Sequence, residues 1–308
     1  MIELDHVTKR YGNSIVVDDL SLIIRDGEFC VIIGSSGAGK STALRMINQL
    51  IPPSAGAIRI DGKDAATVAP EELRRRMGYV IQSIGLFPHW TVERNVGAVP
   101  ALLGWPATRI RERTRELLAL LKLDPEGFRG KYPHQLSIGQ QQRVGIARAL
   151  AADPDVLLMD EPFGALDPIT RDALQSEIAR IHRESRKTVV FVTHDMEEAL
   201  KLASRIAVMD RGRLIQAGTP LEILAAPAND FVRDLVGQDE VGIRLLSVET
   251  VANRLRRGEA GPDQPITATA SLRHALSRMI AEGTDRLAVT DAEGRPIGAL
   301  HLADIVRR

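Results

Sequence analysis

Gly34-Ser35-Ser36-Gly37-Ala38-Gly39-Lys40-Ser41 is a glycine-rich loop with the spacing GxxxxGK[ST]. An apolar run at 29–33 precedes it and predicts a buried strand, and Thr42 opens a segment that predicts a helix. Glycines let successive backbone N–H groups converge on anionic oxygens, and the helix N-terminus adds its positive dipole end. This strand–loop–helix context favours a nucleoside triphosphate site over a Gly/Ser-rich surface turn. Lys40 is then expected to reach the outer phosphates, and the Ser41 hydroxyl to hold Mg²⁺.

Two adjacent carboxylates follow a second apolar run. The residues at 156–159 are all apolar and predict a strand buried on both faces, and Asp160 and Glu161 come directly after it. A carboxylate at the end of such a strand, beside a phosphate loop, is where Mg²⁺ is held in enzymes of this type. We therefore expect Asp160 to hold the metal and Glu161 to orient and deprotonate the attacking water.

Further motifs in a fixed order resemble the ATP-binding subunits of ABC transporters. Leu136-Ser137-Ile138-Gly139-Gln140 resembles the family's LSGGQ signature, although the family usually has glycine where this chain has Ile138. The other matching positions are Tyr11 for adenine stacking, Gln82 for the Q-loop, Ala165-Leu166-Asp167 for the D-loop and His194 for the switch histidine. The resemblance extends from about Met1 to about Gly237, which is most of the chain.

The resemblance implies ATP and Mg²⁺ as cofactors and a head-to-tail dimer with two ATP molecules at its interface. Each ATP is expected between the phosphate loop of one copy and Ser137 and Gly139 of the other. The implied nucleotide-binding residues are Tyr11, Gly34, Ser35, Ser36, Gly37, Ala38, Gly39, Lys40, Ser41, Thr42, Ser137, Gly139 and Gln140. The implied catalytic residues are Glu161, His194 and Gln82, the implied metal ligands are Ser41, Gln82 and Asp160, and Asp167 is implied at the dimer interface.

Several of these positions have simpler interpretations. His194 could be a capping histidine, Gln82 a surface amide, and Tyr11 a residue packed at a sheet edge. For Ile138 two alternatives stay open: an ordinary backbone at this position, or a weakened signature, because a β-branched residue disfavours positive φ.

The composition limits the class of partner. Lys plus Arg and Asp plus Glu are both 40 among 308 residues, so the charge balance gives no reason to expect nucleic acid. No apolar stretch approaches the roughly 20 residues of a transmembrane helix, and no secretion signal is visible. Cys30 is predicted to be a buried apolar residue in a reducing compartment. With the family resemblance, this implies a peripheral protein on the cytoplasmic face of the inner membrane. Its partners would be two transmembrane permease subunits and an extracytoplasmic substrate-binding protein.

The hydrophobic patterns predict an α/β fold. Alternation in the first 30 residues and at 57–62 predicts antiparallel strands, and 87–150 is mostly helical in pattern. The rest, to about residue 208, alternates strands and helices. We expect a RecA-like P-loop NTPase core with an antiparallel β subdomain and a helical insertion in 1–237.

The C-terminal part, 238–308, is predicted to be a small α+β regulatory domain. Its pattern from about 245 resembles one CBS motif, with Ser271 capping a helix that Gly283 ends. Asp304 is a weak regulatory candidate or simply a carboxylate on a helix face, and His301 stands where a Ser or Thr is expected. Arg254, Arg256 and Arg257 cluster beside it, as a solvated face or as a contact for anionic lipid.

The transported solute is the least determined expectation. The segment 80–102 resembles the corresponding segment of ATPases that serve importers of glycine betaine, choline and related quaternary amine osmoprotectants. Its aromatic loop at 84–90 is expected either to be buried in the core or to form an interface with a partner. The alternatives are an importer for another small solute (an amino acid, a sulfonate or a metal), a soluble non-transport ABC ATPase, and a nucleotide-binding regulator without catalysis.

Overall fold

The computed structural model describes residues 1–164, 166–259, 261 and 265–306. Contacts within the chain divide it into two compact units, Met1–Ala217 and Gly218–Arg308. The domain boundary near residue 237 remains a prediction from the sequence pattern.

The first unit begins with an antiparallel sheet. Its strands are β1 (Ile2–Tyr11), β2 (Ser14–Ile24), β4 (Ala55–Ile60) and β5 (Lys63–Asp64), in the order β2-β1-β4-β5. Alternate side chains of β1, among them Ile2 and Leu4, are buried, as expected for a sheet that covers a core with one face.

A second sheet carries the carboxyl ends of several parallel strands to one edge. Its strands are β3 (Phe29–Gly34), β6 (Met77–Val80), β7 (Val156–Asp160), β8 (Thr188–Thr193), β9 (Arg205–Asp210) and β10 (Arg213–Gly218), in the order β10-β9-β3-β8-β7-β6. Strands β6, β7, β8, β3 and β9 pair in parallel, and every residue of β3, β7 and β8 is buried. The ends of β3, β7 and β8 therefore place Gly34, Asp160 and Thr193 close together.

The first unit also contains helices. They are α1 (Lys40–Ile47), α2 (Pro70–Arg75), α3 (Val92–Val96), α4 (Ala98–Leu102), α5 (Ala107–Leu120), α6 (Pro125–Phe128), α7 (Ile138–Leu150), α8 (Pro168–Ser185) and α9 (Met196–Leu202). The helices from α3 to α7 lie in the segment 87–150 that the sequence predicts to be mostly helical. One apolar core lies between the two sheets and α1, with Leu4, Leu44, Leu158 and Val190 among its members. Cys30 belongs to this core and is fully buried, and its burial raises the pKa of the thiol to about 12.

The second unit has its own sheet and core. Its elements are α10 (Pro220–Ala225), α11 (Asp230–Val236), α12 (Val241–Val248), β11 (Arg256–Arg257), β12 (Ile266–Thr267), α13 (Leu272–Glu282), β13 (Arg286–Thr290), β14 (Pro296–His301) and α14 (Leu302–Val306). The sheet order is β11-β14-β13-β12. Ser271 caps α13 and Gly283 ends it in the left-handed conformation, as the sequence predicts.

The predicted fold class is confirmed: an α/β P-loop core with an antiparallel layer and a helical insertion, and a small C-terminal α+β unit. Among the described residues, no helix has both the length and the apolar character that crossing a membrane requires.

Candidate nucleotide-hydrolysis site

The phosphate loop is shaped by two glycines that no other residue could replace. Strand β3 ends at Gly34 with φ 156°, and a Cβ there would lie 1.9 Å from the carbonyl oxygen of Met209. Gly39 precedes α1 in the left-handed conformation, with a carbonyl oxygen of Val16 only 2.5 Å from where its Cβ would be. The loop backbone is therefore packed against β9 and β2, which holds its N–H groups in place at the start of α1.

Lys40 lies inside this loop. Its side chain is 5% exposed, and Nζ donates hydrogen bonds of 2.8 Å to the carbonyl oxygens of Gly34 and Ser35. Burial lowers the pKa of the ammonium group, while Glu161 and Asp160 act in the opposite direction. The predicted loop residues 34–39 and the helical residues 40–42 thus form one continuous anion-binding element.

Ser41, in the first turn of α1, meets Asp160 at the end of β7. The Ser41 hydroxyl donates to Asp160 Oδ1 over 2.6 Å, and Asp160 is 1% exposed. Burial raises the pKa of the Asp160 carboxyl, and the Ser41 hydrogen bond is the main opposing influence. A hydroxyl and a carboxylate oxygen are the hard ligands that Mg²⁺ prefers, so this pair fits a magnesium site.

The structure brings Glu161, His194 and Gln82 together. Glu161 follows β7 with φ 44°, and its N–H donates to the Val192 carbonyl oxygen over 3.0 Å, which fixes the turn. Its Oε2 lies 3.4 Å from Gln82 Nε2 and 3.3 Å from His194 Nδ1. Three side chains that follow three different strands therefore meet beside Asp160, with the Glu161 carboxylate between the other two. The cap of α9 is Asp195 rather than His194.

The signature segment begins α7. Ser137 is the N-cap: its Oγ accepts from Gln140 N over 3.3 Å, and its own N–H donates to Gln140 Oε1 over 3.0 Å. Ile138 is the first helical residue, lies outside the positive-φ region and is 54% exposed. Of the two alternatives for Ile138, the structure has the ordinary backbone. Gly139 faces Thr170 of α8 closely, since a Cβ would lie 3.0 Å from its methyl group.

Tyr11 and Asp167 lie at the ends of their elements. Tyr11 is the last residue of β1, is 50% exposed and has Lys9 Nζ 5.2 Å from its ring centre. Asp167 caps α8 by accepting a hydrogen bond of 3.0 Å from Thr170 N. Ala165, the first residue of the predicted D-loop, lies outside the described residues.

Asp304, the weak candidate of the C-terminal unit, is held by an arginine. Arg256 Nε and Nη2 donate to its two carboxylate oxygens over 2.8 and 3.0 Å. His301 Nε2 lies 2.7 Å from Glu259 Oε2 in the same region. Arg254 is paired with Glu249, so at least two of the three clustered arginines lie against carboxylates.

Sequence patterns missed a cluster of buried polar side chains next to His194. Thr193 and Gln175 both donate hydrogen bonds to the Glu198 carboxylate, and all three residues are nearly inaccessible to solvent. Polar residues at buried helical positions were the available signal, because such residues need partners. The phosphate loop, the buried carboxylate and the converging polar side chains define a P-loop nucleotide-binding protein built for hydrolysis.

Comparison with known proteins identifies the family. The family model described as ABC transporter matches residues 17–164, and the CBS domain model matches 263–308. The glycine betaine uptake system ATP-binding protein YehX of Escherichia coli (strain K12) is 53% identical over 306 residues, covering 99% of both chains. The glycine betaine/carnitine/choline transport ATP-binding protein OpuCA of Bacillus subtilis (strain 168) is 48% identical over 296 residues, covering 95% of this chain and 76% of the relative.

A solved structure agrees with this identification. The dimeric structure of MJ0796, a bacterial ABC transporter cassette, has a TM-score of 0.66 and 37% identity, and the match covers 71% of this chain and 98% of that one. The chain belongs to the ATP-binding proteins of ABC transporters. It is therefore an ATPase of the ABC class.

Proposed function

We propose that this chain powers an ABC importer for quaternary amine osmoprotectants such as glycine betaine or choline. The proposal that the chain hydrolyses ATP rests on one observation: Gln82 and His194 converge on Glu161, next to the phosphate loop. The names of two relatives support this choice of cargo: one belongs to a glycine betaine uptake system, and the other is a glycine betaine/carnitine/choline transport protein.

Hydrolysis would depend on positioned charges rather than on a covalent intermediate. Glu161, whose carboxylate lies beside Gln82 and His194, would accept a proton from the attacking water. Lys40 and the loop N–H groups hold the β- and γ-phosphates, and His194 donates to a γ-phosphate oxygen. Ser41, Asp160 and Gln82 would hold Mg²⁺, which would supply charge neutralisation when bound. Tyr11 provides a ring for adenine.

A second copy of the chain would complete each ATP site. Ser137, Gly139 and Gln140 lie at the N-terminus of α7, and the exposed Ile138 beside them indicates that this end of the helix is accessible. Asp167 is the N-cap of α8, and Thr170 of this helix lies close to Gly139. The similarity to a dimeric cassette supports a dimer. In the head-to-tail arrangement that the family resemblance implies, these residues would face the partner's phosphate loop.

An apolar groove on the helical segment would receive the permease. It has a volume of about 580 Å³ and is lined by Phe87, Trp90, Ala101, Leu102 and Ile110 among others. The rings of Phe87 and Trp90 lie 4.4 Å apart, and Leu102 is 73% exposed. Such a groove fits a short helix of a membrane partner. The complex would contain two permease subunits and an extracytoplasmic substrate-binding protein, with this chain on the cytoplasmic face of the inner membrane.

Glu161→Gln tests the catalytic assignment. The amide keeps the side-chain shape but cannot accept the proton, so the variant should bind ATP, form ATP-dependent dimers and hydrolyse ATP at least about 100-fold more slowly. The control is Glu184→Gln, which removes a carboxylate that is 59% exposed. Normal hydrolysis by Glu161→Gln would show that the assignment is wrong.

Reconstitution with the neighbouring permease gene products and binding protein tests the cargo. ATP hydrolysis is measured with and without glycine betaine. Stimulation by betaine is the expected result. Hydrolysis that ignores betaine but responds to an amino acid or a sulfonate would replace the osmoprotectant assignment with another importer.

A further inference from the structure

Glu198 is a buried acidic residue that has no part in the proposed hydrolysis mechanism. It lies in α9 and is 5% exposed, whereas acidic side chains are seldom buried without partners. Its Oε2 accepts a hydrogen bond of 2.6 Å from the Thr193 hydroxyl, and its Oε1 accepts one of 3.3 Å from Gln175 Nε2. Burial raises the pKa of the Glu198 carboxyl, and the bonds from Thr193 and Gln175 oppose that effect.

Thr193 connects Glu198 to the backbone on both sides of His194. Thr193 is the last residue of β8 and is 2% exposed. Its hydroxyl donates to Glu198 and accepts from Asp195 N over 3.0 Å. His194 lies between these two fixed residues, while its own side chain is 63% exposed. Neighbouring side chains therefore do little to hold the imidazole, and the turn around it sets the 3.3 Å contact with Glu161.

The same group is connected to helix α8. Gln175 belongs to α8 and is 6% exposed. Arg171, one turn earlier, places Nη1 3.8 Å from Asp195 Oδ2 and donates from Nη2 to the Leu166 carbonyl oxygen over 3.2 Å. Because Asp167 is the N-cap of α8, the turn that carries His194 is connected through α8 to the segment expected at the dimer interface.

We propose that Glu198 is a positioning residue, which uses Thr193 and Gln175 to hold the His194 turn in its hydrolytic position relative to α8. The inference rests on the proposed role of His194 in hydrolysis and adds the residue that fixes this histidine in place. Glu198 touches no reacting group itself. Its effect should therefore fall on the rate of hydrolysis and leave ATP affinity nearly unchanged.

The first test is Glu198→Gln with Glu197→Gln as its matched control. The two substitutions remove the same charge from adjacent residues, one buried and one exposed. The amide at 198 presents an N–H toward groups that themselves donate, so we expect kcat to fall about tenfold while KM for ATP stays within about twofold. The NMR signal of the His194 ring should move in Glu198→Gln and stay in place in Glu197→Gln.

A second pair of variants works even where Glu198→Gln does not fold. Thr193→Val keeps the shape but removes the hydroxyl, and Thr193→Ser keeps the hydroxyl. We expect kcat to fall about tenfold in Thr193→Val and to stay close to that of the unchanged protein in Thr193→Ser. Equal losses in both, accompanied by a lower melting temperature, would mean a purely structural role and would overturn the proposal.

His194→Ala in the same assay separates the two levels of inference. A nearly inactive His194→Ala with fully active Glu198→Gln and Thr193→Val leaves the proposed function standing and overturns the positioning role. A fully active His194→Ala overturns both. Reduced kcat in all three, with unchanged KM in the Glu198 and Thr193 variants, supports both.

Discussion

Asp160 and Asp304 both lie at or just after the end of a strand, yet their surroundings differ. Asp160 is the last residue of β7 and is bonded to the neutral hydroxyl of Ser41. Asp304 lies in α14, the helix that directly follows β14. It accepts hydrogen bonds from Nε and Nη2 of the Arg256 guanidinium. Asp160 is buried, with its pKa raised by that burial, whereas Asp304 is balanced by a charged partner.

This contrast separates a carboxylate suited to a ligand from one already engaged by the protein. A buried carboxylate without a cationic partner in contact destabilises the fold, and such costs are typical of functional sites. A bidentate arginine–carboxylate pair has the opposite character, because its geometry is satisfied within the protein. The same residue type at a similar position thus predicts function in one unit and structure in the other.

The largest effect should come from Asp160→Asn. The amide can still accept the Ser41 hydrogen bond, but it removes the charge that would hold Mg²⁺, so MgATP hydrolysis should fall at least about 100-fold. The comparison is Asp304→Asn, which we expect to stay within about twofold of the unchanged protein. Steady-state hydrolysis at saturating MgATP measures both. Equal losses in the two variants would remove the contrast.

The phosphate loop and the Asp160–Glu161 pair could be predicted because their chemistry depends on short spacings. Consecutive residues fix a loop between a strand and a helix, and buried parallel strands bring their carboxyl ends to one edge. The sequence therefore predicted that the phosphate loop and these carboxylates lie near one another, as the Ser41–Asp160 hydrogen bond shows. Whether each side chain acts as expected remains a prediction.

Side-chain pairs that lie outside the recognised motifs could not be predicted. Arg256 and Asp304 are far apart in the sequence. From the sequence, the arginine cluster at 254–257 is interpreted as a solvated face or a contact for anionic lipid, and nothing in its pattern indicates the pairing of Arg256 with Asp304. The link between Gln175 and Glu198 likewise depends on how α8 packs against α9. Such contacts depend on packing angles and rotamers, which hydrophobic patterns do not specify.

Ser137 is an intermediate case, since its polar groups are used by its own helix. Ser137→Ala removes the cap and the proposed phosphate contact, so we expect hydrolysis to fall about tenfold. Ile138→Gly should change it by no more than about threefold, because the backbone at 138 is already helical and needs no glycine. ATPase rates of the two variants, measured with the dimer fraction, check this. A larger loss for Ile138→Gly than for Ser137→Ala would contradict it.

Thermal stability sharpens the contrast, because Asp160→Asn should be stabilising. The folded pKa of Asp160 is raised, so its favourable contribution is complete below the unfolded pKa of about 4 and is lost as pH rises through the folded pKa. At pH 7 the nucleotide-free variant avoids that loss and should melt about 2–4 °C higher. The difference should shrink near pH 4. Calorimetry at both pH values checks the sign, and a lower melting temperature at pH 7 would contradict it.

Asp304→Asn should have the opposite sign and the smallest effect. Removing one partner of the Arg256 pair should lower the melting temperature of the C-terminal unit by about 2 °C or less, since Arg256 is partly exposed. The loss should fade at high salt, where an exposed ion pair is screened. Asp239→Asn, at an exposed position in the same unit, is the control for a change of charge alone. If Asp304→Asn instead raised the melting temperature, Asp304 would resemble Asp160, and a ligand for the C-terminal unit would have to be sought there.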